Sequence, residues 1–219
     1  ASVAISADYI AVGAQDDVIN GTASGSAYVF STKTFDQIAK LTANDAAEND
    51  FFGNSVAISA DYVVVGAIFD EGGGDYSGSV YVFSTTTFKQ VAKLKASDAA
   101  EGDLFGASVA ISADYIAVGA QDDVINGTAS GSAYVFSTKT FDQIAKLTAN
   151  DAAENDFFGN SVAISADYVV VGAIFDEGGG DYSGSVYVFS TTTFKQVAKL
   201  KASDAAEGDL FGASVAISA

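Results

Sequence analysis

Residues 1–106 recur without a single change as 107–212, and residues 213–219, ASVAISA, begin the same text a third time. Whatever local structure the first half builds, the second half builds again, and repeats of this size stack one supersecondary unit on the next. Inside the long period, residues 1–53 and 54–106 align without gaps and agree at 35 of 53 positions. The structural unit is therefore 53 residues. The expected organisation is an A unit at 1–53, a B unit at 54–106, their copies at 107–159 and 160–212, and an extra first strand at 213–219.

Each unit reads as four strands. In the first, Ser2–Ser6 alternates apolar and polar, Ala7-Asp8 makes a corner, and Tyr9–Ala14 continues with aromatic and β-branched residues. A polar loop, Gln15–Ser24, leads to a third strand over Gly25–Thr32, a Lys33-Thr34 corner and a fourth strand over Phe35–Leu41. The B unit repeats this with Tyr62–Ala67, Gly78–Thr85 and Phe88–Leu94. Its third strand sets Val80 and Val82 on one face and Tyr81 and Phe83 on the other, so both faces of the sheet need cover. The expectation is an all-β fold, a β-propeller built of four-stranded antiparallel blades of about 53 residues, because blades stacked around an axis cover each other. A β-solenoid is the second choice, since its coils lack two-residue hairpin corners. The Asp45–Glu48 segment is expected to be a capped turn inside a loop.

Charge narrows the partners. Ten basic residues, all lysine, against 28 acidic ones leave a net charge of -18 and no basic patch for phosphates, so nucleic acid is not an expected partner. No apolar run approaches the roughly 18 residues of a membrane helix, and no membrane insertion is expected. Cysteine and histidine are both absent, which removes thiolate sites, disulfides and the commonest general base, and argues against an enzyme. A chain that opens on Ala1 rather than methionine reads as a processed product, a tag-trimmed chain or an excerpt from something longer.

The string KLTANDAAENDFFGNSVAISADYVVVGA, followed by SGSVYVF, resembles the FG-GAP repeat, the blade of the integrin α-subunit propeller and of many extracellular proteins. Phe52-Gly53, Val65-Gly66-Ala67 and Gly78–Phe83 sit at the family's spacing, and the likeness covers all four units. It implies an extracellular adhesion or scaffold propeller without catalytic activity. Two departures matter. Where such blades often carry a calcium loop, only Ala60-Asp61 stands here, too short to wrap an ion. Rings of this family resemble seven blades, and four units fall short of that. Four blades close alone, two chains combine, or the units belong to a longer array.

The remaining candidates lie in loops and at the ends. Asp70, Glu71 and Asp75, repeated as Asp176, Glu177 and Asp181, surround a glycine run and form a candidate Ca²⁺ cage. Asp16, Asp17 and Asn20 are a weaker set. Asp45, Glu48 and Asp50, like Asp98, Glu101 and Asp103, are as well explained by carboxylates bonding loop amides. Asn20 and Asn126 begin Asn-Gly-Thr glycosylation triplets. Tyr9, Tyr28 and Phe30 are assigned to the core between blades. The first strand, Ser2, Val3, Ala4, Ile5 and Ser6, is duplicated as Ser214, Val215, Ala216, Ile217 and Ser218, leaving one strand surplus and available to a neighbour. The expected function is a self-associating, non-enzymatic scaffold forming a ring or a head-to-tail filament. A calcium-dependent adhesion module for a protein or glycan is the rival, and a symmetric designed propeller with no biological role is the third reading.

Overall fold

The computed structural model describes residues 2–218, and strands and turns are the only regular structure among them. The chain divides into two compact units, Ala1–Ala110 and Ile111–Ala219. In the first, the strands are β1 (Val3–Ile5), β2 (Tyr9–Ala14), β3 (Val18–Ile19), β4 (Thr22–Ala23), β5 (Ser26–Ser31), β6 (Gln37–Leu41), β7 (Phe52–Ile58), β8 (Tyr62–Ala67), β9 (Ser79–Ser84) and β10 (Gln90–Leu94). Sheet 1 is ordered β1-β2-β5-β6 and sheet 2 β7-β8-β9-β10, both antiparallel. The same pattern recurs as sheet 3, from Ser108–Ile111 to Gln143–Leu147, and sheet 4, from Phe158–Ile164 to Gln196–Leu200.

The hairpins follow local chemistry. At the first corner Ser6 N donates to Tyr9 O at 2.8 Å, and Thr32 Oγ1 reaches across to Ala7 O at 2.9 Å, tying the corner to the third strand. The fourth strand starts at Gln37, two residues later than the sequence suggests. Phe35 N donates to Ser31 O and Ser31 N to Asp36 O, a tight turn that forces Phe35 to φ 61° and displaces it from the ladder. Its equivalent Phe88 regains contact by setting its ring edge-on to Tyr9 at 5.8 Å. The Gln15–Ser24 loop is not plain coil either. Asn20 and Gly21, both at positive φ, turn β3 back onto β4, the short hairpin that Asn-Gly favours.

Each sheet has two unlike faces. In sheet 1 the aliphatic face carries Ala4, Ala11, Ala27, Val29 and Ala39, while the aromatic face carries Val3, Ile5, Ile10, Val12, Tyr28 and Phe30. The core of the first unit packs the aliphatic face of sheet 1 against the aromatic face of sheet 2: Val56, Ile58, Val63, Val65, Tyr81 and Phe83. Phe52 sits fully buried beside it, 5.4 Å from Tyr81 and 5.9 Å from Phe83. The backbones approach closely at several glycines; a Cβ on Gly13, for example, would overlap the Gly53 carbonyl oxygen.

Residues 213–218 form no strand within this chain. They remain organised. Val215 and Ile217 pack with Phe211 against Ala163, Val170 and Val186, the aliphatic face of sheet 4.

Candidate functional site

The acidic loops are largely occupied by internal bonds. Buried Asp70 accepts from Ser79 Oγ (2.7 Å) on Oδ1, and from Tyr81 Oη (2.6 Å) and Lys93 Nζ (2.9 Å) on Oδ2. Asp45, from the loop after sheet 1, completes the cluster: its Oδ1 lies 2.9 Å from Tyr81 Oη and its Oδ2 accepts from Lys93 Nζ at 2.7 Å. Lys93 also lies over the Tyr81 ring, 5.0 Å from its centroid. Burial and then the bond to Asp70 push the Tyr81 phenol far above its usual range, so it stays a proton donor. Burial alone would lower the Lys93 pKa, but its bonds to Asp45 and Asp70 leave it raised. Asp45 is also desolvated, yet Lys93 and Tyr81 hold it below the usual carboxylate value. Asp176, Tyr187, Lys199 and Asp151 repeat the cluster in the second unit.

The same Asp-Tyr-Lys triad exists in the A sheets. Asp17 Oδ2 accepts from Tyr28 Oη and Lys40 Nζ, both at 2.7 Å, and Asp123 accepts from Tyr134 Oη at 2.8 Å and Lys146 Nζ at 2.6 Å. Sequence reading missed this triad. Its signal was present: Asp, Tyr and Lys keep their spacing in all four units while the residues around Asp17 and Asp70 change.

Asp70 and Asp176 thus accept from protein donors, with Glu71, Asp75, Glu177 and Asp181 on the loop beside them. Among the described residues no group of three or more acidic side chains is placed to hold a metal ion. Asp50 and Asp156 bond loop amides as expected, accepting from Ala47 N at 2.6 Å and Ala153 N at 2.7 Å, and burial raises the pKa of both. An open groove of about 440 Å³ runs between these loops, walled by Glu48, Phe69, Glu71, Tyr76 and Lys93. Asn20 and Asn126 stand exposed at the tips of their hairpins.

The strands picked out for assembly lie at two incomplete faces. On sheet 1, Val3 and Ile5 are each 70% exposed, and Ile10, Val12, Tyr28 and Phe30 are only half-buried. This is the aromatic face, which in sheet 2 is buried against an aliphatic one. On sheet 4 the aliphatic face carries Phe211, Val215 and Ile217 among the described residues, and Leu200 is 45% exposed where Leu94 is 3%. Sheet 1 therefore lacks an aliphatic cover and sheet 4 lacks most of an aromatic one.

A family model described as the FG-GAP repeat matches residues 1–30, 35–83, 88–136, 141–189 and 194–219, while a search of curated proteins finds no match. Each full match runs from the left-handed phenylalanine before a fourth strand to the third strand of the following sheet. In the frame of 35–83, the last match corresponds to 35–60 and the first to 54–83. Together the two outer matches spell one repeat, with the seven residues of ASVAISA in common.

Proposed function

The chain belongs to the FG-GAP repeat family, and from that membership we propose that it is a non-enzymatic, self-associating scaffold of extracellular β-propeller type. The observation that carries this reading is the pair of complementary uncovered faces. Packing an aromatic face on an aliphatic face is what holds sheet 1 to sheet 2, and one copy offers the former where another offers the latter. Contiguous exposed apolar surface marks interaction sites, and a heterologous contact of this kind generates rings or filaments. The carboxylates support a structural role, because the buried ones are held by lysine, tyrosine, serine and backbone amides.

The test is the mass in solution across a concentration series. Species at multiples of 22.2 kDa, growing with concentration, are expected; a 22.2 kDa particle at every concentration would sink the proposal. Repeating the series with Ca²⁺ and then chelator separates the rival reading, because a calcium-dependent adhesion module would change its melting temperature.

A further inference from the structure

The geometry points to a specific joint between copies: residues 211–218 of one chain enter sheet 1 of a second copy as its first strand, in place of that copy's β1. This rests on the proposal of self-association and names the segment that carries it. Four observations converge.

The segment is seated as a first strand already. Phe211, Val215 and Ile217 lie on the aliphatic face of sheet 4 as Phe52, Val56 and Ile58 lie on that of sheet 1. Its entry is anchored by Phe211 N donating to Ser183 O at 2.9 Å and by Ser161 Oγ donating to Gly212 O at 2.7 Å. From Ala213 to Ser218 no residue takes part in a strand ladder, so the backbone edge is open.

The sequence matches the vacancy it would fill. Ser214–Ser218 duplicates Ser2–Ser6, so the β1–β2 register transfers directly, with Val215 opposite Val12, Ala216 opposite Ala11 and Ile217 opposite Ile10 of the receiving copy. The displaced strand is weakly held, with three ladder pairs and its two largest side chains in solvent.

The aromatic pair of sheet 1 is less covered than those of sheets 2 and 4. In sheets 2 and 4 the rings of Phe52 and Phe158 stand within 6 Å of the Tyr and Phe of the third strand. In sheet 1 the equivalent Tyr28 and Phe30 are only half-buried. Phe211 carries the matching ring and is only half-buried, whereas Phe52, Phe105 and Phe158 are fully buried.

Charge follows the same correspondence. Asp45 and Asp151 reach forward to the Tyr-Lys pair of the next sheet. Asp204 occupies the same place in the last B unit and is exposed, while Lys40 and Tyr28 both bond Asp17. Exchange brings Asp204 of one copy to Lys40 and Tyr28 of the other, as Asp45 meets Lys93 and Tyr81.

Proline substitutions at the two identical strings separate exchange from simple face-to-face docking. Ala4 and Ala11 form a hydrogen-bonded pair, since Ser6 N bonds Tyr9 O and Gly13 N bonds Ser2 O on either side. Proline removes that bond. Ala216→Pro is expected to weaken association at least about tenfold, and Phe211→Ala by a similar factor; Ala4→Pro is expected to strengthen it severalfold by releasing the competing strand. Mixing Ile10→Cys and Ile217→Cys variants of this otherwise cysteine-free chain is expected to give a disulfide dimer joined through positions 10 and 217.

Association that survives Ala216→Pro unchanged, or that falls with Ala4→Pro, overturns strand exchange while leaving the scaffold reading intact. A doubly substituted chain that closes on itself at 22.2 kDa, with no cross-link in the mixture, assigns the segment to its own chain and overturns the joint. Absence of any association in the unmodified chain overturns both.

Discussion

Sheets 1 and 3 are built from the same 53 residues, yet their aromatic faces sit in different surroundings. Ile116, Val118 and Tyr134 are fully buried and Phe136 nearly so, whereas Ile10, Val12, Tyr28 and Phe30 are half-buried. The ion pairs follow suit: Asp123 is buried beneath Lys146, while Asp17 beneath Lys40 keeps a quarter of its side-chain surface. Backbone and hydrogen-bond pattern are nearly unchanged, including the left-handed Phe35 and Phe141 at φ 61° and 62°. Strand formation and hairpin geometry are therefore local properties of this text. The free energy each side chain contributes is not, because apolar stabilisation scales with the surface removed from water.

The largest effect that would sharpen this contrast comes from truncating one isoleucine at two places. Ile116→Ala is expected to cost about 2–5 kcal/mol in urea unfolding, and Ile10→Ala less than half as much at the lowest protein concentration measurable. Equal costs would break the comparison, since they would require Ile10 to be covered already. Tyr134→Phe comes next, at about 1–3 kcal/mol, because it takes a hydrogen bond from buried Asp123; Tyr28→Phe, beside the wetter Asp17, is expected nearer about 0.5–1 kcal/mol. The difference should be read by the same unfolding assay.

Smaller still is the pH dependence. Asp45 and Asp151 are held below the ordinary carboxylate value of 3.8, so the stability they contribute is present at neutral pH and lost as pH falls below about 4 through their folded values. Lys93 and Lys199 are raised above 10.5, so their contribution is complete below that value and lost as pH rises past it. Asp50 and Asp156 act in the opposite sense: burial raises them, and protonation on acidification relieves a cost. Asp45→Asn should flatten the acid limb of the melting-temperature profile by under about 1 kcal/mol, as expected for a half-exposed partner. Asp50→Asn should steepen it, because the opposing group is gone.

Much of the fold was legible in the residues because its signals are short-range. Alternation fixed which residues share a face, and Ala-Asp corners between β-branched runs marked the hairpins. Other features were present but weaker. Asn20-Gly21 between Val18-Ile19 and Thr22-Ala23 is a hairpin signal hidden in a loop otherwise read as polar coil. Phe35 gave no warning, since an aromatic residue rarely adopts positive φ, and only the turn closed by Ser31 and Asp36 requires it. The acidic loop at Asp70–Asp75 was readable as oxygen-rich. Its buried carboxylate meets Lys93, which is 23 residues away and reaches it only once β10 pairs with β9.

By itself the sequence determined the 53-residue period, the four-stranded sheets, the two unlike faces and the recurrence of the first-strand text at 213–219, because all of these arise from repetition and from contacts between near neighbours in the chain. The tertiary structure alone decided which of the identical faces are covered, that the Asp-Tyr-Lys triads close on themselves, and that residues 213–218 lie on sheet 4 without a ladder. Burial and pairing depend on what lies across a gap, and identical residues cannot encode different neighbours.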